Sequence, residues 1–231
     1  MTARPLRRAG VSLRKAGVWM LDYLYAARHQ LRAAVSRDDP EVLAAGRPGA
    51  STVVLLPGIL ETWRFMLPLA RHLHDRGNAV HVIAALGRNR LSIADGAELV
   101  AAHLDQHDLH DVTIVAHSKG GLIAKQLMSS LPAGGRVRLA VTVCTPFAGS
   151  VYARYLPTRS LRSLAPTDAA LLRLGRESAA NERIVSVYGW FDPHIPGGSA
   201  LEGARNVELP VGGHFRILAS RELLEVVDGC V

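Results

Sequence analysis

The chain of 231 residues has two cysteines, Cys144 and Cys230. That number and spacing support neither a disulfide framework nor a thiolate metal site. Cys144 falls in an apolar, strand-like run, which predicts a buried structural thiol. A His-Glu-x-x-His pair and a glycine-rich phosphate loop are both missing, so no metal or nucleotide role has support and no cofactor is expected. No stretch reaches the ~20 uninterrupted apolar residues of a membrane span. Most of the chain also lacks net charge. The formal +7 lies within residues 1–37, where eight Arg or Lys face Asp22 alone, and residues 38–231 hold 19 basic and 19 acidic side chains. A nucleic-acid-binding surface on the main body is therefore not expected.

What is present begins with 48% hydrophobic residues, enough for one substantial α/β domain and little more. Residues 1–50 form a basic extension and linker. Leu13, Gly17, Met20, Leu21, Leu24, Ala27, Leu31 and Val35 recur at helical spacing, with Arg14, Lys15, Arg28 and Arg32 between them. Asp22 inside the short apolar run argues against a secretory signal. The pattern predicts an amphipathic helix that packs on the domain or lies on an anionic membrane surface. The expected location is cytoplasmic, with peripheral membrane contact as the variant; oligomeric state is not readable. Gly46-Arg-Pro-Gly49 closes the region.

From residue 51 onward strands and helices alternate. Ser51–Leu56, Ala79–Ile83, Asp111–Val115, Arg138–Cys144, Arg183–Tyr188 and Asn206–Leu209 read as strands. Trp63–Arg76, Ala94–His107 and Ser220–Val227 read as helices. The alternation predicts a three-layer α/β domain over residues 51–231, with a mostly parallel central sheet. Residues 150–180 are less regular and are placed as a small cap over the site.

The chemistry centres on Val112-Thr-Ile-Val-Ala-His-Ser-Lys-Gly-Gly-Leu-Ile-Ala124. A β-branched strand meets an apolar helix at an abrupt turn, and Ser118 sits on that turn as a nucleophile elbow would place it. Ala116 and Gly120 supply the small residues on either side. Asp192 follows the strand at 183–188, and His214 follows the last strand on the loop Val211-Gly-Gly213. Ser, Asp and His in that order suit a nucleophile, an orienting acid and a general base. Asp168 is the rival acid, but Ala165-Pro-Thr-Asp168 reads as a helix N-cap. Asp95 and His103 precede the nucleophile and have no matching arrangement. Pro57-Gly58 ends the first strand, so the amides of Ile59 and Lys119 can face an oxyanion over Ser118. Lys119 is expected to act through its amide, with its side chain directed into solvent.

Ala116-His-Ser-Lys-Gly120, Gly203-Ala-Arg-Asn-Val207 with Gly213-His214, and Thr145-Pro146 with Gly149-Ser150 resemble segments of the α/β-hydrolase superfamily. The likeness is to small bacterial lipases and esterases with an Ala-His-Ser-x-Gly elbow, and it runs over about residues 51–229. It implies Ser118, Asp192 and His214 as the triad and Ile59 and Lys119 as the oxyanion amides. Two departures stand out: Pro57 where such enzymes commonly have His, and Lys119 where Met or Gln is frequent. An acyl pocket is expected from Leu60, Phe147, Tyr152, Tyr155, Leu156 and Trp190. The implied activity is cleavage of acyl esters or lipids by a serine carboxylester hydrolase. An acyltransferase or thioesterase using the same acyl-enzyme is the first alternative. A non-catalytic module that attaches to membrane or protein is the second.

Overall fold

A computed structural model describes residues 4–231, with side-chain surroundings from residue 12; Arg4, Arg7 and Arg8 of the basic segment precede that point. The chain opens with the long helix α1 (Arg4–Val35) and the short α2 (Pro40–Ala44). It then alternates through β1 (Thr52–Leu56), α3 (Leu67–Asp75), β2 (Ala79–Val82), α4 (Ile93–Gln106), β3 (Val112–His117), α5 (Lys119–Ser130) and β4 (Val137–Val143). The segment expected as a cap, residues 150–180, carries α6 (Arg159–Arg162) and α7 (Ala169–Arg176), and β5 (Ile184–Phe191), β6 (Arg205–Gly212) and α8 (Arg221–Asp228) complete the fold.

The six strands form one sheet in the order β2-β1-β3-β4-β5-β6, and every neighbouring pair is parallel. Parallel strands need helical crossovers, which cover both faces and drive nearly continuous burial. β3, in the middle, is buried at all six positions. Alternate residues feed two cores: Val54, Leu56, Ile114 and Ala116 face α4 and α5, while Val53, Leu55 and Val115 face the opposite layer with α3 and α8. The three-layer architecture and all six strands agree with the sequence reading. The helix expected at 63–76 is split into a 3-10 turn, Trp63–Met66, followed by α3. Pro68 explains the break, because proline fits the first turn of a helix and not its interior.

α1 packs on the domain with the face opposite to its apolar stripe. Val18, Asp22 and His29 are buried and Tyr25 is partly buried. Leu13 (74% exposed), Met20 (61%), Leu24 (59%), Leu31 (71%) and Val35 (77%) point outward. Arg14 stacks over Trp190 at 4.2 Å and Lys15 over Phe191 at 4.9 Å, so these cations lie along the contact with the domain. No described helix is long and apolar enough to cross a membrane.

Candidate active site

Ser118 follows β3 directly and serves as the N-cap of α5 with φ 51° and ψ −119°. A non-glycine residue rarely holds such a backbone, and the flanking strand and helix over-determine it. A Cβ at Gly120 would lie 2.4 Å from the Leu56 carbonyl oxygen. Only glycine lets the first turn of α5 pass that close to β1.

Asp192 comes one residue after β5 and His214 two after β6, so the three side chains meet at the carboxyl ends of parallel strands. His214 Nε2 lies 3.0 Å from Ser118 Oγ, and His214 Nδ1 lies 2.7 Å from Asp192 Oδ2. The other carboxylate oxygen of Asp192 accepts the amides of His194 at 2.7 Å and Ile195 at 3.1 Å. Burial pushes the Asp192 pKa up, but the His214 charge and the hydrogen bonds outweigh it and hold the carboxyl at about 2. Burial pushes His214 down; the Asp192 charge and hydrogen bond push it up and prevail, so its pKa is raised. An ionised acid, a more basic imidazole and a hydroxyl thus form one chain.

Cys144 also reaches this cluster: its sulfur, an Asp192 oxygen and a His214 nitrogen lie within 4.8 Å of one another. Burial and the Asp192 charge raise the thiol pKa well above its ordinary value, so it stays protonated, donating toward the Gly213 carbonyl at 3.9 Å. Both ring nitrogens of His214 already face Ser118 and Asp192. A cation on these three groups would need a thiolate where burial opposes one and would break the Asp192–His214 bond. The thiol is a packing neighbour, as its apolar run predicted.

The residue before the serine ties the site together. His117 Nδ1 lies 2.9 Å from Glu61 Oε2, and His117 Nε2 lies 3.0 Å from the His214 carbonyl oxygen. Glu61 Oε2 also accepts the Gly58 amide at 2.7 Å, which fixes the loop after β1. Among the described residues the Ile59 N–H has no hydrogen-bond acceptor, and this loop borders the same cavity as Ser118.

Lys119 departs from expectation. Its side chain is fully buried, and Nζ donates to the carbonyls of Asn89 at 2.9 Å and of Leu91. Asn89 in turn donates to the Pro57 carbonyl at 2.7 Å, and the Leu60 amide donates to the Arg88 carbonyl at 2.8 Å. The ammonium therefore anchors the 88–91 loop, which holds the 57–60 loop. Burial lowers its pKa to about 8, against a small opposing pull from Asp95. The chain has three lysines, and Lys119 and Lys125 are both buried in α5. A scarce lysine inside an apolar helix is a signal of structural use that the solvent reading overlooked.

A cavity of about 620 Å³ opens over Ser118 and His214. Of the expected pocket residues, Leu60, Tyr152 and Leu156 line it, together with Ile59, Leu161 and Leu164. Phe147 lines a separate cavity of about 430 Å³ with Lys125 and Leu171. Trp190 lies under Arg14, against Gly212, and Tyr155 is 74% exposed, so neither borders the site cavity. Alternation along β5 and the short turn at Ala153–Tyr155 turn these side chains away. Asp168 caps α7 by accepting the amides of Ala170 and Leu171, and Asp95 lies in the first turn of α4. His103 of α4 meets His81 edge-on and His107 at a tilt, away from Ser118, Asp192 and His214.

Besides His117, Glu61 and the leucines Leu161 and Leu164, the site residues missed in the sequence are His194, Trp19, Tyr23 and Asp22. His194 borders the cavity with its ring 4.9 Å from that of His214. Burial, then the His214 charge, lowers its pKa to about 4, and its Nε2 is buried without a partner among the described residues. Its place two residues after Asp192 was the available signal. Trp19 and Tyr23 of α1 form one wall, and Asp22 lies behind His214.

No protein-family model and no curated protein sequence matches the chain. Solved structures do. The mature lipase BlEst2 of Bacillus licheniformis is 18% identical over 80% of this chain and 93% of that chain, with a TM-score of 0.67. An extracellular α/β-hydrolase from a Paenibacillus species is 18% identical over 78% and 98%, with a TM-score of 0.54. The α/β-hydrolase MGS-MChE2, from a metagenome of lagoon sediments at Mar Chica, Morocco, is 13% identical over 78% and 90%, with a TM-score of 0.58. At these identities the likeness establishes the fold, and the fold is that of the α/β-hydrolases.

Proposed function

We propose that this protein is a serine carboxylester hydrolase that cleaves acyl esters through an acyl-enzyme. The observation that carries the reading is the continuous chain from Ser118 through His214 to Asp192, opening into an apolar cavity. In the mechanism, Ser118 Oγ attacks the ester carbonyl carbon while His214 Nε2 takes the hydroxyl proton. The carbonyl oxygen becomes an oxyanion facing the amides of Ile59 and Lys119, donors aimed at charge that exists only after attack. Collapse breaks the carbon–alkoxy bond, and His214 returns the proton to the departing alcohol. Water then repeats the sequence: His214 takes its proton as its oxygen bonds to the acyl carbon, the acyl–Ser118 bond breaks with return of that proton to Ser118 Oγ, and the carboxylic acid leaves. Asp192 holds the Nδ1–H tautomer and stabilises the imidazolium throughout.

The substrate class follows from the cavity lining: an acyl chain against Leu60, Leu156, Leu161 and Leu164. The proposed surface partner is an anionic lipid layer. Support comes from the outward apolar face of α1, the net positive charge of residues 1–37, and the position of Trp19 and Tyr23 at the cavity. The test is a series of p-nitrophenyl esters from acetate to palmitate, run on the wild type and Ser118→Ala with fluorophosphonate labelling in parallel. Turnover and labelling that both vanish in Ser118→Ala are expected. Wild-type protein that is folded yet neither labelled nor active on any ester would overturn the reading. Product analysis with alcohol and thiol acceptors separates hydrolysis from acyl transfer.

A further inference from the structure

The geometry points to Asp22, in the middle of α1, as a positioning residue for the general base His214; this inference rests on the hydrolase reading above. Asp22 is fully buried. One carboxylate oxygen accepts the His214 amide at 2.9 Å, and the other accepts those of Phe215 at 2.8 Å and Arg216 at 2.9 Å. Three consecutive backbone N–H groups thus converge on one carboxylate 192 residues away in sequence. An isolated buried carboxylate is costly, and three amide donors are what make this one tolerable.

The clamp works from one side only, and the fold supplies the other. His117 holds the carbonyl of His214 while Asp22 holds its amide, so the peptide of the base is fixed at both ends. Gly213 is part of the same fit: it has φ 118°, and a Cβ there would lie 2.6 Å from Asp22 Oδ1. Nearby on α1, Gln30 Nε2 donates to the Leu60 carbonyl at 3.2 Å, touching the loop that carries the Ile59 amide. α1 therefore grips both halves of the site, which the sequence had placed outside the catalytic domain.

Asp22 also acts through its charge. His214 is faced by Asp192 after β5, Cys144 after β4, His117 at the end of β3 with Glu61 behind it, His194 in the cap-side loop, and Asp22 from α1. The Asp22 charge is one of the influences that raise the His214 pKa. Removing it lowers that pKa, so the acidic limb of the kcat/KM profile moves to lower pH.

Asp22→Asn is the test. Asparagine offers one acceptor oxygen where three amides converge, and its NH₂ meets N–H groups head-on. The expected result on a short soluble ester is a fall in kcat of about 50-fold with KM within about threefold. The acidic limb should shift down, and hydrogen exchange should quicken at residues 214–216 alone. A folded Asp22→Asn protein with wild-type kcat and an unmoved limb overturns the proposal. If that variant does not fold, exchange in the wild-type chain decides: protected amides at 214–216 support the clamp, and exchange at free-loop rates overturns it. Failure of the hydrolase reading looks different, because the wild type would then be inactive and unlabelled at Ser118 while its exchange pattern still reports on Asp22.

Discussion

The turn around Ser118 and the helix α1 build the same site by opposite means. Between Val112 and Ala124 nearly every determinant is a sequence neighbour: a β-branched strand, a serine with positive φ, and a glycine where α5 passes β1. α1 contributes through partners distant in sequence, and through polar groups: Asp22 to the His214 loop 192 residues on and Gln30 to the loop after β1, 30 residues on. Local geometry places Ser118, and tertiary contacts place His214. A device made of neighbours can be broken by one residue within it, whereas one made across the chain can be loosened from either end.

The largest effect should come from breaking the turn's own chemistry. Ser118→Ala and His214→Ala should each lower kcat by about a millionfold, and Asp192→Asn by about 10⁴-fold, with the circular dichroism spectrum unchanged. Stopped assays with active-site titration check this. A folded Ser118→Ala protein that turns over its best ester at more than a hundredth of the wild-type rate would remove the serine from the mechanism.

Lys119 sharpens the comparison, because it belongs to the local device yet works at a distance. Lys119→Met keeps the backbone amide but leaves two carbonyls without their buried donor, at a cost of about 1–3 kcal/mol each. Loosening the 88–91 loop frees the 57–60 loop, so kcat should fall by about 30-fold. pH offers a second readout. The folded protein favours the neutral amine, so the unfolded chain binds more protons between pH about 8 and 10.5. Wild-type stability relative to Lys119→Met should therefore rise across that window, as denaturant midpoints would record. A relative stability that is flat over the window would mean that the ammonium is not the buried group described here.

The two regions also differ in how far they can be read from residues alone. All six strands, the elbow and the order Ser118, Asp192, His214 follow from periodicity and local turn residues, which act over a few positions. α1 was foreseen as an amphipathic helix, but the side that packs was not. Hydrophobic spacing marks an apolar stripe, and the docking face is set by Asp22 meeting amides that appear only once β6 is in place. For the same reason Phe147 and Trp190 were drawn into the pocket, when the Phe147 ring turns to another cavity and the Trp190 ring packs under Arg14. The burial of Lys119 depends on the 88–91 loop folding over α5, which no local pattern announces.

A smaller effect probes the base. His214 must be neutral to accept the Ser118 proton, and its pKa is raised because Asp192 outweighs burial. The acidic limb of the wild-type profile should therefore lie above 6.5, the ordinary imidazole value, with kcat/KM falling about tenfold per pH unit below it. The limb should drop when Asp192 is replaced by Asn, since the stabilising charge is gone. A limb that stays put in that variant would assign the titration to another group; His194, already near 4, is too acidic to supply it.

The smallest expected effect concerns the outward face of α1 and tests whether its two sides have separate tasks. Met20 and Leu24 point away from the domain, whereas Asp22 between them points into it. Met20→Ser and Leu24→Ser should each weaken binding to anionic vesicles by about fivefold, the cost of withdrawing roughly 1 kcal/mol of apolar burial from the lipid interface. Binding should also weaken with salt, because the formal charge of residues 1–37 is eight positive against one negative. The measurement is sedimentation with vesicles of neutral lipid alone and of neutral plus phosphatidylserine, with circular dichroism confirming helix content. Equal binding by the wild type and the double variant would leave the stripe without a lipid role. Binding lost equally to both vesicle types would keep the apolar face and remove the basic residues from the interaction.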